Sequence, residues 1–254
     1  MHSPWAVVTG ASAGLGVHYA ERLAEQGSNL ILAARSADKL ADVADDLRRR
    51  HGVTVEVRAV DLATEAGRAD FVDEIRGTHV HTLINNAGFA SVGSFSELDA
   101  DRVQQEVSLN AGALTELTHA VVGPMVARGR GAIVNVSSTS AFQAMAGMAV
   151  YAATKGYVLQ FSVGLWAELH DTGVRVLAVC PGPTDTSFFA NAGNDDVLRR
   201  RRRPEQVIDA TFKALAEHRP FVVDGARNKL VAFSNRLVPR SFAARLAPTY
   251  LRIA

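Results

Sequence analysis

Seven short apolar runs punctuate the chain, at residues 5–9, 29–33, 54–59, 82–85, 132–136, 174–179 and 220–223. They are continuously apolar rather than alternating, as strands are when a parallel sheet buries both its faces. Between them lie longer segments with helical spacing, about residues 14–26, 37–50, 65–76, 99–128, 149–171 and 204–218. Gly27, Gly52, Gly77, Gly129 and Gly173 each stand where such a helix should stop. Strand–helix alternation of this kind predicts an α/β fold. It is a single doubly wound Rossmann-type parallel sheet of about seven strands, with helices on both faces and right-handed crossovers. No linker or repeat divides it. The pattern assigns residues 1–225 to one catalytic-size domain and 226–254 to a basic C-terminal extension.

Composition narrows the class. A chain of 254 residues, 48% of them apolar, can bury a large core. The net charge of +1 offers no argument for nucleic-acid binding. The single cysteine, Cys180, cannot form an internal disulfide, which suits a reducing compartment. The N-terminus lacks the layout of a signal peptide, and no apolar run is long enough to span a bilayer. A cytoplasmic location is the expectation. Charge is unevenly spread: the last thirty residues carry +6 and no acid, and the rest sums to −5.

The first predicted strand runs into Thr9-Gly10-Ala11-Ser12-Ala13-Gly14-Leu15-Gly16 and then a helix. Glycines at this point let the backbone turn tightly and approach a pyrophosphate, whose charge then lies at the helix N-terminus. A tight turn without a ligand is the plainer alternative. The second strand ends in Arg35-Ser36, where sites for NAD carry an acid that binds the ribose 2′-hydroxyl. A guanidinium suits a 2′-phosphate instead, with Ser36 able to assist. The residues therefore favour NADP(H) over NAD(H), against the alternative of a solvated arginine. Asp38 fits the first turn of the next helix better than a ribose.

Tyr151-Ala152-Ala153-Thr154-Lys155 places a phenol and an ammonium one helical turn apart. A neighbouring ammonium is expected to lower the phenol from about 10 toward the working range. Alone the spacing is weak. Beside it stand a strand ending in Ser137-Ser138, thirteen residues before Tyr151, the sequence Asn85-Asn86-Ala87-Gly88 closing the fourth strand, and Asn110 in the following helix. Taken with the glycine loop and Pro181-Gly182, this set resembles the short-chain dehydrogenase/reductase superfamily of the Tyr-x-x-x-Lys type. The resemblance runs from about residue 4 to 225.

The resemblance implies roles. Tyr151 would exchange a proton with the substrate oxygen, and Ser138 would hydrogen-bond that oxygen. Lys155 would bind the nicotinamide ribose and lower the Tyr151 pKa. Asn110 would hold a water in the relay to Lys155. Gly10, Ser12, Ala13, Gly14, Leu15 and Gly16 would cradle the pyrophosphate. Asp61 and Leu62 would meet the adenine, and Asn86, Ala87 and Gly88 the adenosine ribose. Pro181, Gly182, Thr184 and Thr186 would lie along the nicotinamide. One departure stands out: many NADP-dependent members carry a basic residue in the glycine loop, where this chain has Ala13. No metal site is expected, since His79 and His81 have no nearby cysteine or acidic cluster.

Segments 89–97, 139–150 and 186–198 should surround the substrate. Phe89, Val92, Phe95, Phe142, Met145, Met148, Val150, Phe188 and Phe189 would make an apolar pocket, with Gln143 as a polar exception. Packing into the core or a subunit interface is the alternative for several of them. The run Arg199–Arg203 reads as a solvated lid or as an attractor for an anionic carrier. The basic tail would pack on the body or a partner subunit, or make weak contact with a membrane surface. The expected activity is reduction of a small-molecule ketone or 3-oxoacyl thioester, or oxidation of the alcohol, in a homo-oligomer (dimer or tetramer). The resemblance pairs helices 99–128 and 149–171 between subunits. The alternative is an NADP(H)-binding regulatory or scaffold protein without turnover.

Overall fold

The computed structural model describes residues 4–186, 188, 201–234, 241 and 244. Phe189, Arg199, Arg200 and nearly all of the tail beyond Ser234 lie outside these described residues, and with them the membrane reading of the tail.

Seven strands form one sheet: β1 (Trp5–Thr9), β2 (Asn29–Ala34), β3 (Val55–Ala59), β4 (Val80–Asn85), β5 (Gly131–Val136), β6 (Val174–Cys180) and β7 (Phe221–Val223). Their order is β3-β2-β1-β4-β5-β6-β7, every pairing is parallel, and the fold is the predicted α/β Rossmann type. The continuous apolar runs are explained by alternation between two buried faces. Ala6, Val8, Leu30, Leu32, Val134 and Leu177 point to one face, where α1 (Leu15–Glu25), α2 (Ala37–His51) and α7 (Pro204–Ala216) cover them. Val7, Ile31, Leu83, Ile133 and Val176 point to the other. That face is covered by α3 (Glu65–Gly77), α5 (Leu114–Ala127) and the end of α6 (Ala149–Glu168). Each buried aliphatic side chain contributes about 1.5–3 kcal/mol against exposure.

Two predicted boundaries shift. Gly27, Gly52, Gly129 and Gly173 take positive φ at their turns, but Gly77 belongs to the last turn of α3 and Thr78 caps it. The helix expected over 99–128 is divided: α4 (Ala100–Val107) leads into a π-helical turn over Ser108–Ala113, and α5 follows. The chain reverses between β1 and β4, so the ends of these neighbouring strands open a crevice at the carboxyl edge of the sheet. A further helix, α8 (Ala226–Ser234), follows β7 back to that edge. Among the described residues no helix is long and apolar enough to cross a membrane.

Candidate active site

The crevice is a single cleft of about 1260 Å³. At one end lies the glycine loop, and its shape depends on the missing side chains. A Cβ on Gly10, at φ +66°, would come within 2.9 Å of Ala87 Cα. One on Gly16 would lie 2.1 Å from the Gly10 carbonyl oxygen, which would break the entry to α1. The loop is tied to the Asn85–Gly88 segment by Thr9. Its Oγ1 accepts the backbone N–H groups of Asn86 and Ala87, both at 3.0 Å. The Asn86 Nδ2 returns a bond to the Thr9 carbonyl at 3.0 Å. Gly10, Ser12, Ala13, Gly14 and Leu15 line the cleft, with Asn86, Ala87 and Gly88 opposite, and Gly16 is buried behind them. Such a cradle of backbone beside a helix start fits a pyrophosphate.

Arg35 and Ser36 line the same end, and Lys39 joins them one turn further on. Lys39 escaped the sequence reading: Arg35 precedes α2, so no helical spacing linked the two. Asp38 lies in the first turn of α2, away from the cleft wall. Asp61 and Leu62 line the cleft after β3, and Asp61 Oδ1 fixes their turn by accepting Ala63 N–H at 2.9 Å. Arg68, buried under this turn, donates to the Leu62 and Ala63 carbonyls.

At the other end Ser138, Tyr151 and Lys155 meet over the ends of β5 and α6. Tyr151 is 7% and Lys155 5% exposed. Lys155 Nζ donates to the Val136 carbonyl at 2.8 Å and lies 5.7 Å from the Tyr151 ring centre. Burial pushes the phenol up to about 12; the Ser138 hydroxyl opposes this and Glu106 adds to it. This corrects the expectation of a lowered phenol. Desolvation of the phenolate sets the direction, and burial also brings the Lys155 ammonium down to about 8. Tyr151 thus holds its proton at neutral pH. Ser137 does not share the role of Ser138, because its hydroxyl is turned to the Lys155 carbonyl at 2.8 Å.

Asn110 sits in the π-turn, 1% exposed. Its Oδ1 accepts Phe89 N–H at 3.1 Å, and its Nδ2 donates to the Phe89 carbonyl and to Thr154 Oγ1. It therefore pins the wall of the cleft to α6 beside Lys155. Gly88 fits between the two: an added Cβ would stand 2.8 Å from Asn110 Oδ1 and 3.4 Å from Lys155 Nζ.

Pro181, Gly182, Thr184 and Thr186 line the far wall. Thr184 Oγ1 donates to the Gly182 carbonyl, and Thr186 packs above Gly14. The arginine run is not a uniform solvated patch. Arg202 bridges to Thr184 and makes a bidentate pair with the buried Asp224, both bonds at 2.8 Å. Arg203 precedes α7, with its N–H bonded to Gln206 Oε1. From α8, Asn228 packs against Gly182 and donates to the Asp224 carbonyl at 2.7 Å.

Of the expected apolar lining, Phe89, Val92, Met145, Met148 and Phe188 face the cleft, with Gln143. Leu109 and Val231 join them. Phe188 packs on Tyr151 with ring centres 5.6 Å apart. Phe142 instead packs with Phe221 and Phe233, Phe95 is 66% exposed, and Val150 is off the wall.

The family model for short chain dehydrogenase matches residues 4–197. A very-long-chain 3-oxoacyl-CoA reductase-like protein of Arabidopsis thaliana is 36% identical over 185 residues, 71% of this chain and 59% of that protein. A short-chain dehydrogenase from Sphingobium yanoikuyae, solved in complex with NADPH, superposes with a TM-score of 0.85 at 36% identity, covering 92% of this chain and 93% of the other. The bulky-bulky ketone specific alcohol dehydrogenase from Comamonas testosteroni gives 0.80 at 32% identity, covering 98% and 100%. With the matched region spanning the glycine loop, the Asn85–Gly88 segment and the Ser138–Tyr151–Lys155 group, the chain belongs to the short-chain dehydrogenase family of oxidoreductases.

Proposed function

We propose that this protein is an NADPH-dependent reductase of ketones with bulky apolar flanks, 3-oxoacyl thioesters among them. One observation carries the reading: the buried Tyr151 phenol, with Ser138 and Lys155, stands in the same cleft as a phosphate-fitting glycine loop, walled by Phe89, Met145, Met148 and Phe188. A phenol can give its proton to a carbonyl oxygen, which is what reduction of a ketone requires. Arg35 and Lys39 at the far end favour the 2′-phosphate, and the NADPH complex of the Sphingobium relative supports that choice. The 3-oxoacyl and bulky-ketone relatives support the substrate class.

Bound NADPH supplies the hydride that reaches the carbonyl carbon. The protein does the rest. Tyr151 gives its proton to the oxygen, and Ser138 hydrogen-bonds that oxygen as charge builds on it. Lys155 holds the ribose hydroxyls, and its charge steadies the phenolate left behind. Asn110 keeps Phe89 and α6 in register around them. A cytoplasmic location belongs to this reading. So does a homo-oligomer built on α4, α5 and α6, where Val107, Val126 and Tyr157 are exposed at 43%, 37% and 43%.

The test is NADPH oxidation across aryl ketones, steroid ketones, 3-oxoacyl-CoA thioesters and small charged aldehydes, repeated with NADH. Turnover is expected with the bulky apolar ketones and NADPH. Tyr151→Phe should lower it by about 10²–10⁴-fold while still binding NADPH. Turnover restricted to small charged aldehydes, or a fully active Tyr151→Phe protein, would overturn the reading.

A further inference from the structure

Arg68 is a buried cation that the chemistry above leaves unused. It lies at the start of α3 and is 8% exposed. The way that helix begins brings it under the adenine-side turn. Thr64 caps α3 by accepting Gly67 N–H at 3.1 Å, and a Cβ on Gly67 would run into the Asp61 carbonyl. An arginine taken out of water costs free energy unless its donors are met. Here four bonds meet them. Nη1 donates to the Leu62 carbonyl at 3.1 Å, the Ala63 carbonyl at 3.2 Å and Ser108 Oγ at 2.7 Å. Nε donates to Glu116 Oε2 at 3.0 Å. Ser108 Oγ then closes a triangle by donating to the Ala63 carbonyl at 2.7 Å.

These partners belong to the two ends of the cleft. Asp61, Leu62 and Ala63 line it on the adenine side, and Asp61 Oδ1 holds Ala63 N–H. Ser108 opens the π-turn, whose Leu109 lines the cleft. Two residues on, Asn110 holds both backbone groups of Phe89, and Thr154 next to Lys155. Arg68 and Ser108 are not on the cleft wall themselves, so each acts through its neighbours. Docking α3 does not call for this wiring. Phe71, Val72 and Ile75 already bury that helix in the core, and the ion pair with Glu116 ties it to α5. What remains is a set of bonds that runs from the adenine-side turn to the π-turn.

We propose that Arg68, with Ser108, is a positioning residue that couples the two ends of the cleft: a nucleotide seated against Asp61–Ala63 tightens the Asn110 bond to Phe89 beside the reacting pair. The inference rests on the cleft being the NADPH site proposed above. Arginine suits the task because its planar fork meets carbonyls, hydroxyl and carboxylate in fixed directions, which the point charge of a lysine does not. Coupling between two sites is a shared free energy and is reciprocal. Loosening the π-turn therefore weakens binding at the adenine end.

Adenosine 2′,5′-bisphosphate is the test ligand, since it carries the adenine end of NADPH and lacks the nicotinamide. Phe89 N–H, accepted by Asn110 Oδ1, reports the other end. Ala178 N–H, bonded to the Pro220 carbonyl, reports stabilisation of the whole protein. In the unaltered protein the bisphosphate should slow hydrogen exchange, followed by NMR, about fivefold more at Phe89 than at Ala178. In Ser108→Ala and in Arg68→Lys that excess should vanish. Calorimetry should show the bisphosphate bound about fivefold more weakly, and kcat at saturating NADPH should fall by about 10–10²-fold. A merely structural role would lower the melting temperature and leave the Phe89 excess and kcat in place, and that result overturns the inference. A role confined to the adenine-side turn would weaken the bisphosphate alone, which overturns it as well. Should Arg68→Lys not fold, Ser108→Ala, which removes a single hydroxyl, decides. The exchange and calorimetry need no turnover. An unaltered protein that does not bind the bisphosphate removes the NADPH reading and this inference with it. One that binds it without the Phe89 excess removes this inference alone.

Discussion

Lys155 meets two opposed demands. The role proposed for it sets a cation beside the phenolate, and a site 5% exposed disfavours one. Its drop from 10.5 to about 8 states the conflict in free energy. At about 1.4 kcal/mol per unit, the charged form costs the folded state roughly 3 kcal/mol at neutral pH. The sign follows from proton counting: between about 8 and 10.5 the unfolded chain binds more protons than the folded one, so stability rises with pH across that window. Below about 8 the full cost stands. Lys155→Met should therefore unfold later in urea at pH 7, by about 1–3 kcal/mol, while losing reductase activity. Its advantage should shrink through the same window, and equal midpoints at pH 7 would contradict the argument. At this scale the sequence was legible where spacing carries chemistry: Ser138, Tyr151 and Lys155 are brought together as their intervals required. It misled on the phenol, because proximity to an ammonium shows in the letters and the cost of desolvation does not.

Among the elements, the π-turn at Ser108–Ala113 had no counterpart in the periodicity of residues 99–128. A π-turn adds a residue to one turn and is paid back by contacts outside the helix. Here those contacts are the Asn110 bonds to both backbone groups of Phe89. They belong to a different segment and leave no local trace. The arrangement is tight, and Gly88 is its weak point. Gly88→Ala should press on Asn110 Oδ1, which would lie 2.8 Å from the new Cβ. Displacement near an ångström should cost about 10²-fold in kcat, with a thermal melt close to that of the unaltered protein. Steady-state kinetics beside a melt separates this from unfolding; a kcat within a factor of about two would show that the turn gives way freely. The strands were easier to read, because burial on two faces makes the whole run apolar and sets it apart from the helices.

For the whole molecule, the doubly wound parallel sheet followed from the alternation of strands and helices, and its strand order, with the reversal between β1 and β4 that opens the cleft, came from the structure. The closing side of the cleft was not legible. Arg202 looked like one arginine among five, and only its tertiary partner, 22 residues on, distinguishes it. That pair ties the segment after β6 to the end of β7, and Asn228 locks α8 onto the backbone carbonyl of the same Asp224. Asp224→Ala leaves Arg202 without its bidentate acceptor. With the Arg202 side chain 35% exposed, water replaces part of the loss, so the expected cost is about 1–3 kcal/mol. It should appear as a lower melting temperature and a raised KM for the ketone. An unchanged melt would show that β7 is held by its strand pairing alone.

The Thr9 clamp has a meaning in time as well as in space. Thr9 is synthesised well before its partners, and the N–H groups it accepts arrive 77 and 78 residues later. Until then β1 has β2 on one side and a bare apolar edge on the other, the kind of edge on which nascent chains stick to one another. The glycine loop is equally unformed, because the hydroxyl that fixes it has nothing to hold. The strand that seals the open edge of β1 is thus followed directly by the N–H groups that Thr9 holds to shape the loop.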